Sequence, residues 1–255
     1  AVLWGHRIYA SWPAGRFVFA ICLLAALGAA VAGFAPSLPV VWLGYSVMFG
    51  CANGLGYGFG LQFAAQANPG RKGLAMGVVT AAYASGAALS PALFDIGMAA
   101  GGFRAAMFGL GVVLLAVGVI CAGLMWLAQA RFVARDTKAP PLQIPTGIFV
   151  LLWLGYGAGV AAGLMTMGHA AGIATALRYD GMAWMAPVVI AISSFIGSLV
   201  AGQLVDRSSK YGLLIILPLM SAASVISLAV FGGPGLVMIL LGVIGFAYGG
   251  IIAAY

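Results

Sequence analysis

The chain has 255 residues, of which 64% are hydrophobic and 6% charged, with a formal net charge of +7. A soluble domain carries about 25% charged residues and roughly half apolar ones, so a water-soluble fold is excluded and the solvent is lipid. The eleven bases stand singly or in pairs between long apolar runs, which excludes a nucleic-acid-binding face. Glutamate is absent, and the four acids are Asp95, Asp136, Asp180 and Asp206. Cys22, Cys51 and Cys121 lie inside apolar runs without metal-ligand spacing, so they read as small buried hydrophobes. No Ser/His/Asp set, metal cluster or phosphate loop is present, so no enzyme, metal or cofactor is expected.

A helix needs about 20 apolar residues to cross the hydrocarbon core. A barrel would show short alternating strands, and these runs are unbroken. The chain starts at Ala1 without a signal-peptide pattern and ends at Tyr255 inside an apolar stretch, so it reads as a fragment that opens on the tail of a helix. The interval Phe17 to Gly70 is free of charge and long enough for two crossings, divided at Pro36-Ser37-Leu38-Pro39, which predicts helices at 17–34 and 39–66. Helices follow at 73–94 and 105–130, joined by a short connection holding Asp95, Gly101, Gly102 and Arg104. A polar linker covers 131–145, with Arg131, Arg135, Asp136, Lys138 and three prolines. Beyond it the pattern predicts helices at 146–175 and 181–205, then two more in 211–255 divided at Gly232-Gly233-Pro234. The expected fold class is an all-α membrane protein of about eight transmembrane helices.

Basic residues set the orientation, because cytoplasmic loops retain Lys and Arg. Alternate threading places Arg7, Arg16, Arg71, Lys72, Arg131, Arg135, Lys138, Arg207 and Lys210 on one side, against Arg104 and Arg178 on the other. The loops 67–72, 131–145 and 206–211 are therefore expected in the cytoplasm. Pro36-x-Leu38 followed by Gly44 recurs as Pro234-x-Leu236 followed by Gly242, an offset of 198 residues. The basic loops 7–16 and 206–212 repeat at nearly the same offset, which suggests two related halves joined at 131–145.

The stretch Gly202-Gln203-Leu204-Val205-Asp206-Arg207-Ser208-Ser209-Lys210 resembles the loop signature of the major facilitator superfamily, with Ser209 standing where its second glycine belongs. That resemblance implies a major facilitator type bundle of an expected twelve helices, of which 3 to 10 are visible here. Residues 1–130 are then an N-terminal half-bundle (the end of helix 2 and helices 3 to 6), 131–145 a cytoplasmic linker, and 146–255 a C-terminal half-bundle of helices 7 to 10. In this reading Asp206, at a helix end, pairs with a base across the half-bundle interface and shuts one face, with Gly202, Arg207, Lys210, Arg71 and Lys72 as its gating neighbours. The plain alternative is a positive-inside anchor with an incidental acid. In the first-half counterpart Gly15-Arg16 is kept, but Trp12 stands where Asp is expected.

Pro69-Gly70-Arg71-Lys72-Gly73-Leu74-Ala75-Met76-Gly77, entered through Gly54, Gly56, Gly58 and Gly60, resembles the helix 4–5 region of the oxalate/formate antiporter and monocarboxylate transporter branch. Gly163-Leu164-Met165 with Gly168-His169-Ala170 resembles helix 7 of the same branch. The spacing of Gly50, Gly54 and Gly58, and of Gly77, Ala81 and Ser85, predicts faces where helices approach closely. Gly77-x8-Gly86-x3-Ser90-Pro91 also resembles the helix 5 motif of antiporters.

The resemblance places helices 1, 4, 7 and 10 around a central cavity. This makes Asn53, Tyr57, Trp153, Tyr156 and Tyr248 candidate substrate contacts, with Tyr83, Ser193 and Ser194 next in line. Each has a plainer reading as interface belt or helix packing. Intramembrane charge is costly and usually functional, and no base lies convincingly at mid-depth. Asp95, Arg104, His169 and Arg178 are the remaining proton or anion candidates. For these the plain readings are a loop acid beside Arg104, helix caps, and a packed, hydrogen-bonded histidine. The expected function is a secondary transporter in a bacterial-type inner membrane, moving a small organic anion such as formate, oxalate or lactate by alternating access, through exchange or with protons. The chain is expected to act as a monomer in the bilayer. An efflux antiporter for hydrophobic drugs is the nearest alternative, and a non-transporting membrane sensor or partner subunit is the alternative of another class.

Overall fold

A computed structural model describes residues 8–133, 145–179, 183–207, 210–233 and 235–254. Residues 134–144 of the expected linker, with Arg135, Asp136 and Lys138, lie outside the described residues, as do Arg7, Asp180 and Ser209. The described chain is helical: α1 (Ala14–Gly33), α2 (Leu38–Ala67), α3 (Lys72–Leu127), α4 (Thr146–Gly168), α5 (Ala170–Ala176), α6 (Met185–Arg207), α7 (Lys210–Phe231) and α8 (Val237–Ala254). Trp126 is 72% exposed, Leu127 71% and Leu151 70%, exposures that suit a lipid solvent. The buried residues, by contrast, are largely alanine, glycine and serine, because helices in lipid associate through close packing of small residues.

Among the described residues, seven helices are long and apolar enough to span a membrane, and α3 at 56 residues is long enough for two passages. At 1.5 Å per residue it would extend about 84 Å if straight, against about 30 Å of hydrocarbon. It is not straight. The backbone leaves helical geometry at Gly101 and Gly102, and Gly102 has φ +71°, a conformation that glycine adopts without a Cβ penalty. The chain folds back there, so that a Cβ on Gly97 would lie 2.7 Å from Ala106 Cα. The eight expected crossings are thus present among the described residues, but the connection between the fourth and third of them differs from expectation. Asp95 is helical rather than in a loop, because the helix runs on past the charge until the two glycines end it.

Two further differences concern backbone geometry. The expected helix 146–175 is broken at His169 (φ −115°, ψ 10°), which separates α4 from the short α5. Within α2, residues Trp42–Phe49 form a π-helical segment. That segment packs on α1 at backbone distance, where a Cβ on Gly28 would lie 2.6 Å from Gly44 O and one on Gly44 2.7 Å from Gly28 O.

The chain divides into two compact units, residues 1–66 with 90–139, and residues 67–89 with 140–255. In the first, α1 lies antiparallel to the later part of α3, with Gly15 against Ala122, Cys22 against Gly118, Ala26 against Gly111 and Gly33 against Met107. Tyr9, Phe17, Phe59 and Phe132 form an aromatic cluster at one end, with ring centroids 5.1–5.7 Å apart. Gln66 fastens the same end: its Nε2 donates to Val133 O (3.0 Å) and its Oε1 accepts from Val133 N–H (3.1 Å).

In the second unit α8 is the central helix, with ten buried residues. It meets α6 through small residues, with Gly197 against the Phe246 carbonyl, Gly245 against Ile190 O and Gly249 against Ser194 O. Ser198 Oγ donates to Ser194 O at 2.8 Å and to Gly249 O at 3.1 Å across this seam. Residues 72–89 of α3 also pack in this unit, against α6.

Candidate functional site

Asp206 is the penultimate residue of α6, where an acid faces the negative end of its own helix dipole. What offsets that placement is the positive end of another helix. The Gly73 N–H donates to Asp206 Oδ1 and the Leu74 N–H to Oδ2, both at 2.8 Å. With α3 beginning at Lys72, these amides belong to its first turn, whose N–H groups have no partner within the helix. α3 carries no acid of its own in that turn, so Asp206 serves as its N-cap from 132 residues away in sequence.

Only small residues permit this contact. A Cβ on Gly73 would lie 2.6 Å from Gly202 O and 2.9 Å from Asp206 Oδ1. One on Gly202 would lie 2.6 Å from Gly73 O, and one on Gly77 2.5 Å from Ser198 O. Ser198, Gly202 and Asp206, each four residues apart, thus form a single ridge of α6 that meets Gly73 and Gly77 of α3.

Of the gating residues expected from the sequence, Asp206 and Gly202 stand in this contact. Among the described residues, the hydrogen-bond partners of Asp206 are the backbone N–H groups of Gly73 and Leu74. Arg71 and Lys72 flank the contact and are exposed, as is Arg207. Lys210 opens α7, and its side chain lies outside the described residues. Gly73, Leu74 and Ser198 were not singled out from the sequence as gating residues. Their signal was the four-residue spacing Gly73–Gly77 and Ser198–Gly202.

Six of the eight candidate substrate residues lie in the second unit and two, Asn53 and Tyr57, in the first. Tyr248 on α8 is buried, with its ring against Gly163 of α4. Tyr156, nearly two turns before Gly163 on α4, packs on the cluster of Ala201, Leu217, Ile251 and Ala253. The α4–α8 seam thus carries both tyrosines. Ser194 is buried in the α6–α8 seam and Ser193 is half-buried, with its Oγ 3.3 Å from where a Cβ on Gly242 would stand. Trp153 and Tyr83 are exposed, at 67% and 49%. Asn53 is exposed and Tyr57 half-buried, both on α2.

The structure places the charged candidates individually. Arg104 Cζ stands 5.0 Å from the centre of the Phe34 ring, a cation–π contact, and Asp95 is exposed on the helix. His169, exposed, makes a hydrogen bond of 2.9 Å between Nδ1 and Met165 O at the end of α4. Arg178 has φ +63° and closes α5. Its N–H donates to Thr175 O and the Tyr179 N–H to Ala174 O, both at 2.9 Å, the paired bonds of a Schellman turn.

The eight apolar passages, the glycine-lined helix contacts and the acid at a helix end all fit one kind of molecule. The family model described as the Major Facilitator Superfamily matches residues 2–255. The chain belongs to the Major Facilitator Superfamily. It is therefore a multi-pass membrane transporter with an all-α bundle, in a superfamily generally made up of transporters rather than enzymes. No curated relative matches the chain. The superfamily match extends over both compact units, so the Asp206 contact and both tyrosines fall within it.

Proposed function

We propose that this superfamily member moves a small organic anion, a monocarboxylate or a dicarboxylate of the formate, lactate or oxalate kind, by alternating access. Transport proceeds by exchange or with protons, the loops 67–72, 131–145 and 206–211 face the cytoplasm of a bacterial-type cell, and the protein works as a monomer. The halves that rock are 1–130 and 146–255, joined by 131–145.

The observation that carries the reading is the Asp206 contact. It ties the start of α3 to the end of α6 through two N–H groups that α3 does not use for itself. Water can replace the carboxylate there, so the contact opens without unwinding either helix. A tie of that kind suits a gate that must open and close in each cycle. The cargo class is supported by the resemblance of 69–77 and 163–170 to carboxylate transporters. It is in keeping also with the polar and aromatic residues Tyr156, Tyr248 and Ser193, which lie along the α4, α6 and α8 seams.

Transport by the reconstituted protein tests the reading. Proteoliposomes are expected to take up labelled formate, lactate or oxalate, with competition by the unlabelled anion and loss of flux in Tyr248→Phe. Extrusion of hydrophobic dyes without carboxylate uptake would establish the drug-efflux alternative instead. No flux of either kind from correctly inserted protein would leave the sensor reading standing and refute transport of this cargo.

A further inference from the structure

A cavity of about 1080 Å³ opens at one end of the first unit, between the start of α1 and the end of α3. Trp12, Arg16, Phe19, Trp126 and Arg131 are among its lining residues. The chemistry is graded. Phe19, Leu23 and Met125 make an apolar wall along the helices, while Arg16 and Arg131 stand at the end where the chain leaves them. Trp12 and Trp126 are 52% and 72% exposed, in the position where indole rings favour the boundary between hydrocarbon and headgroups.

Among the described residues the charge at this end is unbalanced. Asp95 is the one acid among the described residues of the unit, and it lies by the Gly97–Ala106 fold-back, near the opposite end of α1. α1 starts at the cavity without an acid in its first turn and without a side-chain cap, so its dipole adds to the field of the two arginines. Two guanidinium groups, two interfacial indoles and an apolar wall in one cavity match an amphiphile with a negative head and an acyl chain. A soluble anion would leave the wall empty, and a zwitterionic lipid brings a cation beside its phosphate, so it adds no net negative charge to offset the two arginines.

We propose that this cavity binds an anionic phospholipid, with the phosphate between Arg16 and Arg131 and an acyl chain along Phe19 and Leu23. The proposal needs the bundle to lie in a membrane, and is independent of cargo and orientation. With the orientation given above, the lipid belongs to the cytoplasmic leaflet. Each base near an anionic membrane surface strengthens attraction about fivefold, so losing both weakens it about thirtyfold.

The test uses Trp12 and Trp126 as reporters in the full chain carrying Trp4→Phe, Trp42→Phe, Trp153→Phe and Trp184→Phe. The protein is reconstituted in phosphatidylcholine vesicles containing a minor fraction of brominated phosphatidylglycerol or of brominated phosphatidylcholine. Brominated phosphatidylglycerol is expected to quench severalfold more strongly at equal fraction. The preference is expected to vanish in Arg16→Gln/Arg131→Gln and to weaken as salt is raised. Should the tryptophan variant fold poorly, native mass spectrometry of the unaltered chain and of the double arginine variant makes the same comparison, as phosphatidylglycerol retained on detergent removal. Equal quenching by the two lipids, or equal retention by both proteins, overturns the proposal, and would mean that neutral lipid or another segment of the chain fills the cavity.

Discussion

Replacing Asp206 by Asn tests the contact on which the gating proposal rests. The substitution preserves size, removes the charge and exchanges one of the two accepting oxygens for an NH2 group, which cannot receive an N–H. At least one of the 2.8 Å bonds from Gly73 and Leu74 is lost, and the attraction to the α3 dipole with it. Loss of an N-cap costs about 0.5–2 kcal/mol, and a charge at a helix end contributes about 0.3–1 kcal/mol. Asp206 is exposed, so the lower parts of those ranges apply and the sum is about 1–2 kcal/mol. That corresponds to a factor of about 5–30 in the opening equilibrium of the contact. Amide hydrogen exchange reads it at the donors themselves. The Gly73 and Leu74 amides are expected to exchange about 5–30 times faster in the variant. Amides deeper in the helix, from Gly77 to Thr80, should keep their rates because their bonds lie within α3. Unchanged rates at Gly73 and Leu74 would refute the contact. Uniform acceleration across 73–89 would show that Asp206 stabilises the fold and does not act as a local tie.

The helix seam and the α5 cap give two further expectations. Gly249→Ala puts a Cβ against the Ser194 carbonyl, which can yield only if α6 and α8 separate, so a loss of about 1–3 kcal/mol is expected in thermal unfolding in detergent. Gly86→Ala points into open space and is expected to be neutral or to stabilise by up to about 1 kcal/mol, and equal behaviour of the two would refute the packing argument. Arg178→Gly relieves a left-handed residue of its Cβ and is expected to raise stability by about 1 kcal/mol with transport retained. Loss of carboxylate uptake in that variant, with stability raised, would show that the side chain serves the substrate and not merely the turn.

The positions of the passages were legible because lipid imposes them: a run of apolar residues has no alternative to a helix, and Pro36 and Ser37 stand in the turn just before α2 begins at Leu38, with Pro39 in its first turn. Where that logic failed, it had read charge as a sign of loop. Asp95 was assigned to a connection, yet the helix holds it, since a carboxylate at the end of a passage reaches water without leaving helical geometry. The signal that ends the helix is Gly101-Gly102. His169 illustrates the converse, a break inside an apolar run, because hydropathy reports the solvent around a residue and says nothing of backbone direction.

The glycines show why the candidate site was only half legible. Of the ladder in α2, Gly56 and Gly58 receive the Ile21 and Tyr9 side chains, and a Cβ on Gly50 would stand 3.8 Å from Tyr45 O, in ordinary van der Waals contact. Close backbone approach occurs instead at Gly28–Gly44, Gly73–Gly202 and Gly249–Ser194. Four-residue spacing identifies a helix face that can approach a neighbour, but it holds no information about which neighbour has a matching face. Asp206 poses the same problem more sharply. Its sign and its place at a helix end are written in the sequence, and they suggest a base as partner. The group that answers it is a pair of main-chain amides in the first turn of α3, a positive site that has no letter of its own. Any acid at the end of a membrane helix therefore has two kinds of partner to be weighed, the bases and the starts of other helices. Small residues at the second kind, here Gly73 beside Gly202, are the sequence signal that favours it.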